Sequence, residues 1–126
     1  MILGLRTDQP RAELILLDHN GVQIAALTWQ ADRQLASSLL ANIKNFLQNQ
    51  ATDLSDLHGI IVYSGSGSFT GLRIGTTVAN ALAYSLGIKV AKASGGDWTK
   101  QAQTALERVK VNEYVVPDYD RPPNIT

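Results

Sequence analysis

The chain has 126 residues, of which 44% are hydrophobic and 17% charged, a balance that suits one globular domain and excludes intrinsic disorder. Lys and Arg number 11, as do Asp and Glu, so the formal charge is zero and the strong positive field of an autonomous nucleic-acid binder is missing. There is no cysteine, which excludes disulfides, thiol nucleophiles and thiolate-held metal; with no apolar run of signal-peptide or membrane-span length, a soluble cytoplasmic protein is the expectation.

In chain order, Ile2 to Thr7 and Glu13 to Asp18 are short apolar runs separated by the turn signal Asp8-Gln9-Pro10. His19-Asn20-Gly21 marks a tight hairpin turn, because Asn-Gly tolerates positive φ, and Val22 to Trp29 continues as a third strand. Ala31 to Gln50 carries Leu35, Leu39, Ile43, Phe46 and Leu47 on one stripe of a 3.6-residue period, which predicts a helix with Asp32 as N-cap or first-turn acid. Leu40, Ala36 and Ala41 widen that stripe, so the helix has apolar surface for a second face. Asp53 to Leu57 reads as a short turn and Gly59 to Tyr63 as a buried strand. A second helix spans about Thr70 to Leu86, with Leu72, Val78, Ala79, Leu82 and Leu86 on its apolar side. Gly71, Gly75, Ala81 and Ala83 keep it thin, and Gly87 stops it. Ile88 to Ala91 is a fifth strand, and Asp97 caps a third helix reaching about Val109. The ending VPDYDRPPNIT holds three prolines, which favour an extended tail. The order β-β-β-α-β-α-β-α predicts an α/β fold: a mixed five-stranded sheet, three strands antiparallel and then two parallel, with helices on its faces.

The strongest local signal is the run SGSGSFTGLRIGT between strand and helix. Gly65, Gly67 and Gly71 are spaced as in some dinucleotide-binding turns, yet no acidic residue ends the next strand and no Gly-Lys-Ser/Thr closes the loop. Two readings stay open. The turn cradles a phosphate, with Gly65, Gly67, Ser68 and Arg73 as candidate anion or nucleotide contacts, or it caps a helix through Ser68 or Thr70. Arg73 in the first helical turn opposes the helix dipole and calls for a partner, a carboxylate or an anion. His19 and His58 lack an Asp or Ser at useful spacing and read as structural or solvated. Asp53 and Asp56 read as turn residues, and Trp29 and Trp98 as packing residues. No metal-ligand pattern is present.

The segment GSGSFTGLRIG, Gly65 to Gly75, closely resembles the Gly-Pro-Gly-Ser-Phe-Thr-Gly-Leu-Arg-Ile-Gly signature of the TsaB (YeaZ) family, differing only at Ser66 in place of proline. Ile2-Leu3 through Leu16-Leu17-Asp18 is similar to that family's opening hairpin, and LSDLHGIIVYSG to its run into the signature. PDYDRPP, Pro117 to Pro123, resembles the family's Pro-x-Tyr-x-Arg ending. Between about Val109 and Val116 the family's second lobe has no counterpart. The resemblance implies one lobe of an actin-like ATPase (ribonuclease-H-like) fold at residues 1–110 and an extended tail at 111–126. One departure matters: the family's opening strand ends Asp-Thr-Ser, a relic of a phosphate loop, and Arg6-Thr7-Asp8 stands there, with Arg6 at the Asp position.

The resemblance further implies a non-catalytic subunit that pairs with the threonylcarbamoyl-transferase TsaD in tRNA N6-threonylcarbamoyl-adenosine biosynthesis, without cofactor or metal. A TsaE-like ATPase is a further candidate partner, a homodimer is expected when the chain is alone, and no membrane is involved. Zero net charge points to tRNA contact only through the partner. Pairing in such proteins uses the two lobe helices, here Ala31 to Gln50 and Thr70 to Leu86. The expected interface residues are Leu35, Leu39, Ile43 and Phe46 of the first, with Phe69, Thr70, Leu72, Arg73, Thr76, Thr77, Asn80, Ala81 and Tyr84 at the second. A charge at Ala79 or Ala81 is expected to break the pair while the monomer stays folded. Two alternatives remain: a nucleotide-binding or hydrolysing lobe that uses the Gly-rich turn, and a self-pairing protein with another role.

Overall fold

The computed structural model describes residues 1–116; the Pro117 to Pro123 motif and most of the expected tail lie outside the described residues. Five strands form one sheet: β1 (Ile2–Arg6), β2 (Arg11–Leu17), β3 (Gln23–Gln30), β4 (Gly59–Tyr63) and β5 (Lys89–Ala93), in the order β3-β2-β1-β4-β5. β1, β2 and β3 run antiparallel, whereas β4 and β5 run parallel to β1, as the element order predicts. The β2–β3 turn closes with Gly21 at φ +83°, while the Asp18 carboxylate accepts the amides of Asn20 and Val22. Those two bonds hold the Asp18 carboxyl below its ordinary pKa, the Val22 amide contributing most.

Two cores result, because successive strand side chains point to opposite faces. On one face Leu3, Leu5, Leu14, Leu16, Ile60 and Val62 meet α1 (Leu35–Asn49) and α2 (Phe69–Leu86). On the other, Ile2, Ile15, Leu17, Ile61 and Tyr63 meet Trp98 and α3 (Ala102–Glu107). Trp98 packs against the strand at Gly4, where a Cβ would stand 3.1 Å from its ring. Both tryptophans pack as expected: Trp98 is buried, and the indole of Trp29 donates to Ser38 Oγ at 3.2 Å.

The helix starts differ from the sequence reading. Asp32 takes φ +47° inside a 3-10 turn, Asp32–Gln34, so it cannot cap α1; its carboxylate accepts the Gln30 side-chain amide instead. Asp97 makes no side-chain cap, and Trp98–Gln101 is likewise 3-10 before α3 begins. Both helices therefore start later than the sequence predicts; Trp98 keeps a buried side chain in the turn before α3, whereas Asp32–Gln34 buries none. By contrast, Ser68 does cap α2, accepting the Gly71 amide at 3.2 Å, and Gly87 ends it at φ +67°. Asp53 and Asp56 form a capping box around the short turn Leu54–Asp56.

Candidate functional site

The Gly-rich turn joins β4 to α2 at the end of the sheet where β1 also finishes. Its glycines are explained by the β1–β2 turn, which lies directly on it. The Ser68 amide donates to the Asp8 carbonyl at 2.8 Å, and Thr7 Oγ1 donates to the Gly71 carbonyl at 2.7 Å. A Cβ at Gly71 would overlap the Thr7 carbonyl oxygen, and one at Gly75 would overlap Thr7 Oγ1. Gly67, at φ +145°, faces the Cβ of Asp8. The space between these glycines, where a phosphate would sit on the cradle reading, is filled by Thr7 and Asp8 of the chain itself. That filling leaves Gly67 and Ser68 engaged with backbone rather than open to an anion.

Arg6 completes the packing. Its Nε lies 2.8 Å from Asp8 Oδ1, and its guanidinium stands 4.0 Å from the centroid of the Tyr63 ring. The bond to Asp8 raises the Arg6 pKa above its ordinary value. Tyr63 in turn meets Trp98 edge-on, with centroids 5.8 Å apart, and its hydroxyl lies over Gly65. A cation and its own carboxylate thus stand where a phosphate loop would need an unpaired acid, and Arg6 is tied through Tyr63 to the second core. Beside the turn, a groove of about 830 Å³ is lined by Thr7, Gln30, Arg33, Ser68 and Thr70 among others. Among the described residues no group of three or more His, Asp or Glu side chains is arranged to hold a metal.

The two helices α1 and α2 each divide into an inward and an outward face. Leu35, Leu39, Ile43 and Phe46, expected at a partner interface, are buried against the chain's own sheet. The reason is energetic: the strongest apolar stripe of a helix is drawn to the larger apolar surface available, which is the sheet. Thr76 is buried as well, and Leu72 is half-buried against the α3-side core. What α1 leaves outward is Ala36, Ala41 and Leu40, the last 41% exposed. α2 leaves Thr70, Arg73, Thr77, Ala81 and Tyr84, a stripe at spacings of three and four residues, with Phe69 exposed at its start. A shallow groove between the helices is lined by Ala36, Thr70, Arg73, Ile74, Thr77 and Val78. Arg73 rests 5.6 Å from the Phe69 ring centroid. Ile74 and Val78 were not expected at this face, and Leu40 and Ala36 stood in the sequence only as surplus apolar residues.

At the far end of α2 the chain returns. The side-chain amide of Asn80 donates to the Val115 carbonyl at 2.9 Å and its oxygen accepts the Val115 amide at 3.0 Å. Val115 is buried, and the Tyr84 and Tyr114 rings stand 6.4 Å apart. Asn80, expected at a partner interface, therefore holds a segment of its own chain, a pairing that no local pattern signals. His58 and His19 lie at the opposite end of the sheet, where His58 Nδ1 is 2.9 Å from the Met1 amine.

The TsaD family model, tRNA N6-adenosine threonylcarbamoyltransferase, matches residues 29–104, which include α1, α2 and the Gly-rich turn. YeaZ from Pseudomonas aeruginosa is similar at 30% identity and a TM-score of 0.67, over 74% of this chain and 43% of YeaZ. An uncharacterized protein with similarity to peptidase YEAZ from Pseudomonas aeruginosa matches at 28% identity and a TM-score of 0.68, over 74% and 42% of the two chains. RuvC from Thermus thermophilus, at 10% identity and a TM-score of 0.52 over 88% of this chain and 73% of RuvC, shares the fold alone. The chain spans less than half the length of the YeaZ structures it matches. None of the curated protein sequences matches it. The expected family resemblance and the ribonuclease-H-like α/β lobe are thereby borne out.

Proposed function

Because the chain belongs to the TsaD family, tRNA N6-adenosine threonylcarbamoyltransferase, we propose that it serves tRNA N6-threonylcarbamoyl-adenosine formation as a non-catalytic, TsaB-type partner of a TsaD-like transferase. The observation that carries this reading is the outward face of α1 and α2. Thr70, Arg73 and Thr77 line one groove with Ala36; Leu40, Ala81 and Tyr84 are exposed on the same two helices, and the small side chains among them allow a second helix pair to approach closely. An interface of standard size would bury on the order of 1,600 Å² in total. The same face serves self-pairing when the chain is alone, and a TsaE-like ATPase joins the complex as a third component in the cytoplasm.

The filled glycine turn supports a scaffold over an ATPase, because Arg6 and Asp8 neutralise each other where nucleotide chemistry would want an unpaired carboxylate. Co-expression with the TsaD-like protein of the same organism tests the proposal, read by co-purification and light scattering. The expected result is a stoichiometric complex. A folded chain that forms none at micromolar concentration overturns it. The nucleotide-binding alternative draws on the groove of about 830 Å³ beside Ser68 and Thr70 and predicts saturable ADP or ATP binding. Flat calorimetric titrations at millimolar nucleotide remove that alternative.

A further inference from the structure

The segment that returns to α2 has a direction. Tyr114 meets Tyr84, and Val115 is held by both polar atoms of the Asn80 side chain, so successive residues step toward the start of α2. Tyr84, Asn80, Thr77 and Arg73 follow one another at helical spacings of four, three and four residues and form one ridge. The next positions on that ridge, Thr77 and Arg73, are exposed and line the shallow groove beside α1. Arg73 makes no ion pair among the described residues. α1 and α2 together carry Lys44 and Arg73 and no carboxylate. The sequence that follows Val116 reads Pro-Asp-Tyr-Asp-Arg, with two acids ahead of its one cation. Pro117 also biases Val116 toward extended backbone. At about 3.1 Å per residue, the step from Val115 to Asp118 covers roughly 9 Å, against a helical rise of about 10 Å from Asn80 to Arg73.

We propose that the segment Pro117 to Arg121 lies along the α2 ridge of its own chain, with Asp118 and Asp120 on the Arg73 guanidinium, and covers the groove between α1 and α2. The two carboxylates supply the partner that a cation near the start of a helix calls for. Because the segment is tethered at Val115, it competes for the groove at an effective concentration on the order of millimolar, so a weak contact suffices to fill it. One consequence rests on the pairing role proposed above: a partner's helix pair docks when the segment lifts, and its apparent affinity is reduced by the fraction of chains that are closed.

The chain has no cysteine, so Thr77→Cys places a single thiol in the groove of the full chain. Its rate of alkylation by neutral iodoacetamide reads the cover directly. Adding Asp118→Asn/Tyr119→Ala/Asp120→Asn should speed alkylation at least about fivefold. Arg73→Asp should speed it too, and Arg73→Asp/Asp118→Arg/Asp120→Arg should restore the slow rate. Thr104→Cys, exposed on the α3 side, is the control and should react equally with and without the triple change. Equal rates at Thr77→Cys in the parent and triple-variant backgrounds overturn the proposal. Protection that disappears on dilution overturns it as well, because a second copy would then be the cover. The triple variant should also bind the TsaD-like partner about fivefold more tightly than the parent. Unchanged partner affinity with a protected thiol would overturn the competition. If no variant pairs while the thiol stays protected, the pairing reading fails and the docked segment stands.

Discussion

At the scale of single residues, Thr7 and Asp8 decide what the Gly-rich turn can do. Gly71 and Gly75 exist because the β1–β2 turn presses against α2, so adding one methyl group should be costly there. In Gly71→Ala the new Cβ meets a backbone carbonyl, which cannot swing aside, and overpacking of about 1–3 kcal/mol should outweigh the ~1 kcal/mol gained in helix propensity. A fall of roughly 3–8 °C in melting temperature is expected. Gly96→Ala, with nothing within 4 Å, should be neutral or slightly stabilising and serves as the control. A Gly71→Ala chain as stable as the parent would show that the turn has room for a ligand after all. His58 gives a second test. Burial, then the nearby Met1 ammonium, hold its pKa below the ordinary 6.5 in the folded chain. The unfolded chain therefore takes up a proton first as pH falls. The stability linked to His58 is present above its unfolded pKa and is lost as pH drops through the folded value. Melting at pH 5.5 should lie below melting at pH 7.5, and His58→Gln should flatten that slope. An unchanged slope in the variant would locate the pH dependence elsewhere.

At the scale of elements, α2 works on two sides, and the two alanines Ala79 and Ala81 separate them. A charge at Ala79 enters the core between α2 and the sheet, so Ala79→Glu should unfold or severely destabilise the chain, contrary to the sequence expectation of a folded monomer. Ala81 faces out, and Ala81→Glu should keep the melting temperature within a degree or two while abolishing a complex made through this face. Calorimetry beside size exclusion distinguishes the two. A complex that survives Ala81→Glu and also Thr77→Arg would place the pairing surface elsewhere. The pair shows what the sequence could and could not reveal. Periodicity identified both helices and their apolar stripes, but it marks where a helix is most apolar, not what covers it. Leu35, Leu39, Ile43 and Phe46 went to the sheet for that reason, while Leu40, Ala36 and Ala41, legible only as excess, form the outward side. The caps divide similarly. Ser68 acts locally, three residues from the amide it satisfies, and could be read. The clamp from Asn80 to Val115 spans 35 residues and carries no local pattern.

At the scale of the whole molecule, one sheet separates two cores, and its central strands belong to both. β1 gives Leu3 and Leu5 to the α1–α2 side and Ile2 to the α3 side; β4 divides Ile60 and Val62 from Ile61 and Tyr63 in the same way. Neither core can lose its strands while the other keeps them, so the lobe should unfold as one cooperative unit despite its two layers of helices. The tryptophans make this measurable, because Trp29 packs on the α1–α2 side and Trp98 on the α3 side. Trp29→Phe leaves a reporter for one core and Trp98→Phe for the other. Relative to the circular-dichroism transition of the same variant, each fluorescence transition in guanidinium should coincide in midpoint and steepness. Trp98→Phe also removes the edge-on contact with Tyr63 and the packing against Gly4, so its midpoint should fall further than that of Trp29→Phe. An earlier fluorescence transition confined to the Trp98 reporter would make α3 a separate folding unit.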